Sequence, residues 1–431
     1  MLQTIRNAWK IDELRGKMIF TLLILVIFRL GNAIPVPYVD TALLASHFQQ
    51  METTILGLFN TMSGGAFQEA TIFALSIQPY ITASIVMQLL CVAIPALERL
   101  QKEGGEDGKK LIGKITRYAT VGLGLIMGFA YYLMLSNWGL LVEDAGGFWS
   151  GLIIVLSFTA GSSLVMWLGE QITEFGIGNG ISIILFAGIV SRFPVAISGI
   201  VTGLIAGTIP WWILLMVLVG ALALMVLIVV IQNSERKIPV QYAKRVVGRK
   251  MYGGQSTHLP IKLSMSGVMP IIFAQALASL PATIAAFANP AEGTFLHGLA
   301  NFFDPARLPY LSIYVLLILF FSYFYSQIQF NPIEIANNLK KNGGYVPGFR
   351  PGKPTSDYIH KVLSKITLFG AIYLAIVAGL PIVVSMMSTA AQETGIALGG
   401  TSVIIAVGVA LETVKSLESQ MLMRHYKGFL E

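Results

Sequence analysis

The stretch LGLFNTMSGGAFQEATIFALSIQPYITASIVMQLLCVAIP, residues 56–95, decides how the rest of the chain is interpreted. It holds one charged residue, Glu69, in 40 residues. One membrane crossing needs about 20 apolar residues, so the stretch is too long for one span and hardly long enough for two spans joined by a turn. The pair Gly64-Gly65 divides it into an apolar piece of about 10 residues and a full-length run at 70–95.

The first of these two pieces is too short to span a membrane. Half-helices inside a membrane protein are tolerated only where they are buried in protein or line a cavity. Two interpretations therefore stay open from this stretch alone. One is a short plug-like element that leads into a cavity-lining helix, and the other is a surface amphipathic helix followed by an ordinary span.

The composition of the whole chain is that of a polytopic membrane protein. Of its 431 residues, 55% are hydrophobic and 12% are charged, and the mean hydropathy is +0.71. The first apolar run follows a polar lead without a small-residue cleavage site, so we interpret it as a retained span rather than a signal peptide. Cys91 is the only cysteine, which excludes an intramolecular disulfide and a cysteine-based metal site.

Ten apolar runs are predicted to cross the membrane. They lie at 18–36, 70–95, 118–135, 151–168, 180–190, 209–231, 263–287, 310–328, 366–387 and 396–411. With the N-terminus inside, every Lys and Arg except Arg29, Arg192 and Arg307 falls in an inner segment, and this bias places both termini in the cytoplasm. If the short fifth run did not cross the membrane, or if residues 56–67 did cross it, the later basic loops would lie on the outer side of the membrane.

We therefore predict an all-α polytopic membrane protein with two halves of five helices each. Because each half holds an odd number of spans, any repeat that relates the halves must be inverted, although the halves show no convincing sequence similarity. The expected parts are an amphipathic cytoplasmic segment at 1–17, an N-terminal half at 18–193 with the plug-like piece at 56–67, an outer hinge loop at 194–208, a C-terminal half at 209–411 and a cytoplasmic tail at 412–431.

Two inner loops, 232–262 and 329–365, are large and basic. The first contains IPVQYAKRVV and HLPIKL around a glycine turn, and these β-branched runs predict a hairpin. The second contains KKNGGYVPGFRPGKPT. Basic runs are commonly solvated faces that anionic lipids attract, but loops of this length with their own turn chemistry favour docking surfaces.

Two of the predicted spans carry polar stripes. The stripe on the second span falls within an arc of about 80° at 100° per residue and consists of Gln78, Ile81, Ile85 and Gln88. The stripe on the seventh span consists of Val268, Ile272, Gln275, Ser279 and Thr283. Both stripes fit either a wet cavity with an aliphatic waist or interhelical hydrogen bonding in a packed bundle.

Arg29 is the only ionisable residue well inside a predicted span. An intramembrane charge indicates function by default, but near the outer end of a span structural pairing or snorkelling is favoured. Ion-coupled transport generally needs Asp, Glu or His in the membrane, and an intramembrane enzyme needs a nucleophile with a base, or metal ligands, at that depth. We therefore expect no enzyme, no cofactor and no metal site.

Five blocks of the sequence resemble the SecY family, whose members form the central subunit of the bacterial protein-conducting channel. They are FNTMSGGAFQEATIFALSIQPYITASIVMQLL (59–90), GIGNGISIILFAGIV (176–190), SGVMPIIFA (266–274), VPGFRPGKPT (346–355) and GGTSVII (399–405). The resemblance covers essentially the whole chain. It implies a central hourglass pore between the two halves, a short re-entrant plug helix on the outer side, and a lateral gate between the second and seventh helices.

Carried over residue by residue, the resemblance implies four sets of functional positions. The narrow pore ring would consist of Ile81, Ile85, Ile181, Leu185, Ile272 and Ile405. The plug at 56–67 would include Leu56, Phe59, Asn60, Ser63, Gly64, Gly65 and Phe67. The lateral gate would include Gln78, Gln88, Val268, Gln275 and Ser279. The residues that dock a motor or ribosome would be Arg245, Arg249, Lys250, Arg350 and Lys353.

Two details of the ring stay open. The family usually has isoleucine where Leu185 stands, which changes the shape of the side chain but not its hydrophobicity. The last ring position is either Ile404 or Ile405.

The resemblance also implies partners and a location. The expected partners are SecE-like and SecG-like small membrane subunits, the SecA motor ATPase, the ribosome with its RNA, unfolded polypeptides and membrane lipid. The expected location is the bacterial cytoplasmic membrane. The expected function is a passive channel through which secretory polypeptides cross and hydrophobic segments leave laterally into lipid, driven by the motor or the ribosome. The alternative is an ion-coupled secondary transporter of a small solute.

Overall fold

The computed structural model describes most of the chain and is mainly helical. The described residues are 2–49, 55–142, 147–205, 207, 211–242, 245–247, 250–252, 256–263, 267–288, 294–304, 307–387 and 396–427. The first nine helices are α1 (Leu2–Trp9), α2 (Asp12–Gly31), α3 (Thr41–Gln49), α4 (Ile55–Ser63), α5 (Gln78–Ala93), α6 (Pro95–Glu103), α7 (Gly105–Asn137), α8 (Phe148–Phe175) and α9 (Gly180–Ile205).

The described residues of the second part of the chain form seven more helices and a small amount of sheet. The helices are α10 (Trp211–Asn233), α11 (Met269–Ala288), α12 (Phe295–Phe302), α13 (Leu308–Gln329), α14 (Pro332–Lys341), α15 (Lys353–Met387) and α16 (Ile396–Lys427). The strands are β1 (Glu235–Tyr242), β2 (Arg245–Val247), β3 (Lys250–Tyr252), β4 (Ser256–Lys262) and β5 (Gly344–Tyr345).

Several of these helices can cross a membrane by length and composition. Within the described ranges, α7, α8, α9, α13 and α15 pass this test, and α5 with α6 makes a sixth span if the two helices count as one despite a bend of 105°. The described parts of α10 and α11 are apolar but shorter. This count is lower than the ten spans that the sequence predicts, so that number and the inverted relation of the halves stay predictions.

The second predicted span, 70–95, is wrong in extent. Helix α5 begins only at Gln78, and the chain before it forms turns. Ala70 (φ 42°) and Ser76 (φ 48°) adopt left-handed backbone conformations, which a right-handed helix cannot contain. The carbonyl of Ala70 instead accepts a hydrogen bond from the Val36 N–H at 2.9 Å. The helix is therefore only 16 residues long.

Helix α9 is longer than predicted. The sequence predicts a short fifth span at 180–190 and an outer hinge loop at 194–208, but the helix continues to Ile205. Pro194 lies inside it and removes only one backbone donor, and the following residues VAISGIVTGLI hold neither a charge nor another proline. The predicted hinge is therefore largely helical, and its residues 206 and 208 lie outside the described part of the chain.

Three other helices extend beyond their predicted spans. Helix α7 begins at Gly105, α15 begins at Lys353, and α16 ends at Lys427. A helix forms its own backbone hydrogen bonds, so an apolar span can continue as a polar helix beyond the hydrocarbon layer of the membrane. The predicted tail at 412–431 is thus helical as far as Lys427.

The N-terminal segment packs against the C-terminal helix. The sequence predicts an amphipathic helix at 1–17 that lies on the inner surface, whereas the structure has α1 and the start of α2 there. Ala8 and Leu14 are buried in a small cluster with Ile177 and Leu417. Part of this segment therefore packs on protein, while Ile5 and Trp9 are exposed, and its place on the inner surface stays a prediction.

The hairpin predicted at 232–262 is confirmed, because β1 pairs with β4 in antiparallel register. The sequence does not predict β5, which comes from the second basic loop and pairs with the other edge of β1. We call this three-stranded sheet, in the order β4-β1-β5, the two-loop sheet. Its apolar side contains Ile238, Val240, Ile261 and Val346. The two basic loops thus form one structural unit.

Candidate functional site

The short helix α4, which we call the plug helix, is enclosed by other helices. It contacts α9, α11 and α16. Leu56, Phe59, Asn60 and Ser63 are all buried. The alternative of a surface amphipathic helix at this position is therefore wrong.

The chain leaves the plug helix through a compact turn built by the predicted plug residues. Gly64 and Gly65 have φ angles of 73° and 95°, which favour glycine. The Gly65 N–H donates to the carbonyl of Asn60 at 2.8 Å, and the Ser63 hydroxyl accepts from the Phe67 N–H at 3.1 Å. This glycine turn ends the helix in the way that left-handed C-terminal caps do.

Phe67 anchors this turn to the helix bundle. Its ring stacks on Tyr131 of α7 with a centroid distance of 4.5 Å. The Tyr131 hydroxyl donates a hydrogen bond to the Phe67 carbonyl at 2.5 Å. Both side chains are fully buried, so the stacked pair holds the turn to α7. No pattern in the sequence had pointed to a role for Tyr131.

Helix α9 approaches the plug helix through a glycine. A Cβ atom on Gly188 would clash with the carbonyl oxygen of Met62, and a Cβ atom on Gly64 would lie 2.8 Å from the Ser191 hydroxyl oxygen. The two backbones can therefore lie this close only because position 188 lacks a side chain, whereas a side chain at position 64 would meet the side chain of Ser191 first. Gly188 lies in the block 176–190 that carries the family resemblance, but its role was not predicted.

The six predicted ring residues come from four helices, α5, α9, α11 and α16. Five of them belong to one large apolar cluster of buried residues, and Ile181 packs against that cluster while partly exposed. Ile404 and Ile405 are equally buried, so burial does not decide between them. Since isoleucine and leucine side chains carry no polar atom, this region offers no hydrogen bond to an ion or to water.

A small cavity lies between the plug helix and the bundle. Its volume is about 10 Å³, which is room for about one water molecule. Among its lining residues are Phe59, Met62 and Phe67 from the plug region, Gln78 from the gate, and Leu185 from the ring. The structure thus brings residues of all three predicted sets together at one place.

The predicted gate residues come from α5, from α11 and from the residue before α11, and α5 contacts α11. Gln78, Val268, Gln275 and Ser279 are buried, and Gln88 is half-buried. The hydroxyl of Ser279 donates to a carbonyl of its own helix rather than across the contact.

Gln275 is the least satisfied of these side chains. Its Oε1 atom has no hydrogen-bond partner within the described residues. A buried polar atom without a partner costs about 1 to 3 kcal/mol. Burial of Gln275 therefore makes this part of α11 less stable than a fully hydrogen-bonded arrangement would be.

Arg350 lies exposed in the turn between β5 and α15. Its carbonyl accepts a hydrogen bond from the Thr355 hydroxyl at 2.8 Å. The ring of the preceding residue, Phe349, stacks on Tyr358 with a centroid distance of 4.1 Å. The turn is therefore fixed from both sides, and Arg350 is exposed on a defined backbone.

The other predicted docking residues are less fully described. Lys353 is exposed at the first residue of α15. Arg249 lies outside the described residues. Arg245 and Lys250 belong to β2 and β3, for which the backbone pairing alone is described.

No group of three or more His, Cys, Asp and Glu side chains that could hold a metal ion occurs in the part of the chain that the structure describes. The site is therefore built from aliphatic side chains, a few amides and hydroxyls, and glycine. Such a site can exclude water and ions or yield to a passing molecule, but its residues offer no nucleophile paired with a base.

The fold and the site define a class: a multi-span helical membrane protein in which a short helix is enclosed by other helices beside a cluster of buried aliphatic side chains. The profile of the SecY family matches residues 71–414. The chain belongs to the SecY family.

Curated relatives cover its whole length. The chain is 44% identical to the protein translocase subunit SecY of Bacillus subtilis over 440 residues, which is all of both chains. It is 42% identical over 438 residues to the subunit of the same name from Thermotoga maritima, covering all of this chain and 98% of that one.

Solved structures with low sequence identity share the fold. A protein-conducting channel superposes with a TM-score of 0.66 at 19% identity, covering 94% of this chain and 92% of that one. A structure of a SecY protein whose plug domain stabilises the closed state of the translocation channel superposes with a TM-score of 0.64 at 18% identity and the same coverage. Sec61 from the canine ribosome–channel complex gives 0.63 at 17% identity, again covering 94% and 92%.

Proposed function

We propose that this chain is the channel subunit of a protein translocase. Unfolded secretory polypeptides cross the membrane through it, and hydrophobic segments leave it sideways into lipid. The chain is a passive conduit and not an enzyme. The observation that carries this proposal is the meeting of plug, gate and ring residues around one small cavity, in a chain 42 to 44% identical to curated protein translocase subunits. The alternative, an ion-coupled transporter, has no comparable support.

The ring supplies the barrier to ions in this proposal. A hydrophobic constriction loses its water and so blocks ions without binding them. Ile81, Ile85 and Leu185 are among the buried aliphatic side chains that would form it. Aliphatic side chains also fit around a passing polypeptide of any sequence, because they make no directional contacts.

The seam between α5 and α11 supplies the sideways exit. A segment exposed to lipid there partitions by its own transfer free energy, in which a leucine contributes about −0.5 kcal/mol and a charged residue costs about 3 kcal/mol at the helix centre. The Oε1 atom of Gln275 on α11, which has no partner among the described residues, supports a gate, because movement of α11 would let that atom reach a partner.

The orientation in the membrane is part of the proposal. The bias of Lys and Arg places both termini and the two-loop sheet in the cytoplasm of a bacterium. In a Cys91→Ser background, a cysteine at the exposed residue Ser46 should react with a membrane-impermeant maleimide from outside, and one at the exposed residue Asn342 only after the membrane is opened. Labelling of Asn342→Cys in intact cells would contradict this orientation.

The two-loop sheet and the Arg350 turn are the proposed docking surface. Their basic residues suit the phosphates of ribosomal RNA or the carboxylates of a motor ATPase such as SecA. The canine Sec61 relative comes from a ribosome–channel complex, which supports the ribosome as one partner. We further propose SecE-like and SecG-like small membrane subunits as permanent partners.

Reconstitution tests the function. The chain, with the small subunits that co-purify with it, is placed in lipid vesicles with motor ATPase and an unfolded secretory protein outside. We expect ATP-dependent protection of that protein from added protease. A non-hydrolysable ATP analogue serves as the control and should give none. Vesicles that protect no polypeptide but accumulate a small solute along an ion gradient would favour the transporter instead.

A further inference from the structure

Arg29 and Asn32, at the end of α2, both bind the end of the plug helix. The Arg29 guanidinium donates from Nη1 to the carbonyl of Gly64 at 3.0 Å and lies 3.4 Å from the Ser191 hydroxyl oxygen. The Asn32 side-chain amide donates to the carbonyl of Ser63 at 2.9 Å and is buried. Two side chains of α2 therefore hold consecutive carbonyls at the C-terminus of the plug helix.

These carbonyls need such partners. The Ser63 carbonyl is among the last four of the plug helix, which have no partner inside the helix, and the Gly64 carbonyl follows it directly. The C-terminus of a helix also carries a partial negative charge that favours a cation. The hydrogen bond between Asn32 and Ser63 is buried, where a carbonyl without a partner is costly, whereas Arg29 reaches the end of the plug helix from a more exposed position. Arg29 and Asn32 supply a positive charge and two donors where the plug helix needs them.

The contacts exist only while the plug helix stays beneath the constriction. They connect backbone atoms of α4 to side chains of another helix, so they are lost when α4 moves away. Interactions that one of two states makes and the other lacks shift the balance towards the first. The same end of α4 also faces Gly188 and Ser191 on α9, which belongs with α2 to the N-terminal half.

We propose that Arg29 and Asn32 form a latch that sets the resting position of the plug helix, and that opening of the channel requires them to release its C-terminal carbonyls. Arg29 therefore acts as a positioning residue rather than as a surface charge that reaches for the membrane interface. The proposal rests on the proposed function, because a latch has a meaning only in a channel that opens.

The resting ion conductance of the full complex in planar bilayers tests the latch. Arg29→Met keeps an apolar stem but removes the charge and the donors. We expect the resting conductance to rise about tenfold, which corresponds to a shift of about 1.4 kcal/mol in the equilibrium between the closed and the open position of the plug helix. The matched control is Arg307→Met, since Arg307 contacts Asp304 and not the plug helix. This control should leave conductance unchanged. A wild-type conductance in Arg29→Met would overturn the proposal.

A second pair of variants separates a latch from a general loss of structure. Asn32→Leu keeps the size of the side chain and removes one donor, so it should raise conductance by a smaller factor. Adding Gly64→Cys and Ser191→Cys to Arg29→Met allows a disulfide that returns the plug to α9, and oxidation should restore the low wild-type conductance. A leak that persists after this disulfide has formed would mean that the current does not depend on the plug.

Failure of the channel function and failure of the latch would give different experimental results. If the chain is not a protein-conducting channel, the wild-type complex will translocate no polypeptide. If only the latch is wrong, the wild-type complex will translocate normally, and both Arg29→Met and Asn32→Leu will keep its resting conductance.

Discussion

The plug helix and the ring meet at one small cavity, which Phe59 and Met62 of the plug helix and Leu185 of the ring help to line, but they are held by different kinds of contact. The ring residues come from four helices and join one apolar cluster. The plug helix is held at its end by donors from Arg29 and Asn32 and by the glycine approach at Gly188. An apolar ring can adapt to many side chains, whereas a helix held by directional hydrogen bonds has one position and must be released from it. The difference indicates that the ring sets tolerance and the plug sets the resting state.

The largest effect is expected from locking the plug. A cysteine Cβ at position 64 would lie 2.8 Å from the side-chain oxygen of Ser191, close to the separation of about 3 Å between a Cβ and the far sulfur of a disulfide. In a Cys91→Ser background, Gly64→Cys with Ser191→Cys should therefore crosslink on oxidation and abolish translocation, and a reductant should restore it. Each single cysteine is the control. Normal translocation by the crosslinked form would remove the plug from the account.

A substitution in the proposed docking surface, far from the ring and the plug helix, should stop translocation without raising the resting ion conductance. Arg350→Glu should abolish motor-driven translocation, and Arg350→Lys should reduce it several-fold, because lysine cannot reproduce bidentate pairing with a carboxylate or phosphate. Resting conductance should stay at the wild-type level in both. Lys340→Glu, in the same basic loop, is the matched charge change and should have a mild effect. Wild-type translocation rates in Arg350→Glu would end the docking hypothesis.

Polar side chains in the ring should open the apolar barrier while the plug contacts remain. Ile81→Asn with Ile272→Asn should raise resting conductance on the order of tenfold, because amides keep water in the constriction. The control is Val86→Asn, since Val86 lies on the exposed side of α5. An unchanged conductance in the ring variant would show that these residues do not form the narrowest point.

The smallest chemical changes should distinguish the two regions most clearly. Leu185→Ile conserves volume in the ring, and such swaps are well tolerated, so conductance should stay within about twofold of the wild type. Gly188→Ala adds one methyl group, but that atom would clash with the plug backbone at Met62. Gly188→Ala should therefore raise conductance several-fold. Equal effects of the two substitutions would contradict the division between an adaptable ring and a fixed plug.

The sequence predicted that the piece before Gly64 does not span, because about 10 apolar residues are too few and because the basic loops fix the parity of the crossings. The family resemblance then implied that this piece is an enclosed plug helix. The sequence also predicted the hairpin of β1 and β4 from β-branched runs around a glycine turn. Both signals are local. The gate and ring positions came from the family resemblance together with the polar stripes on the second and seventh spans.

Other features depend on contacts between distant segments and had no local signal. The residues from Ala70 to Ile77 are as apolar as a membrane helix, but they form turns because their backbone pairs with residues near Val36. Strand β5 has only two residues and is defined by its pairing with β1. The partner of Arg29 is a backbone carbonyl, which any residue at that position would provide.

The path of a polypeptide through the ring is the central claim, and crosslinking measures it directly. In a Cys91→Ser background, a single cysteine at Ile85 or at Val86 is paired with one cysteine in a secretory protein stalled during translocation. Ile85 is buried among the ring residues, whereas its neighbour Val86 is 42% exposed on another face of α5. We expect a strong disulfide crosslink from a cysteine at position 85 and little or none from a cysteine at position 86. Equal or stronger crosslinking from position 86 would contradict it.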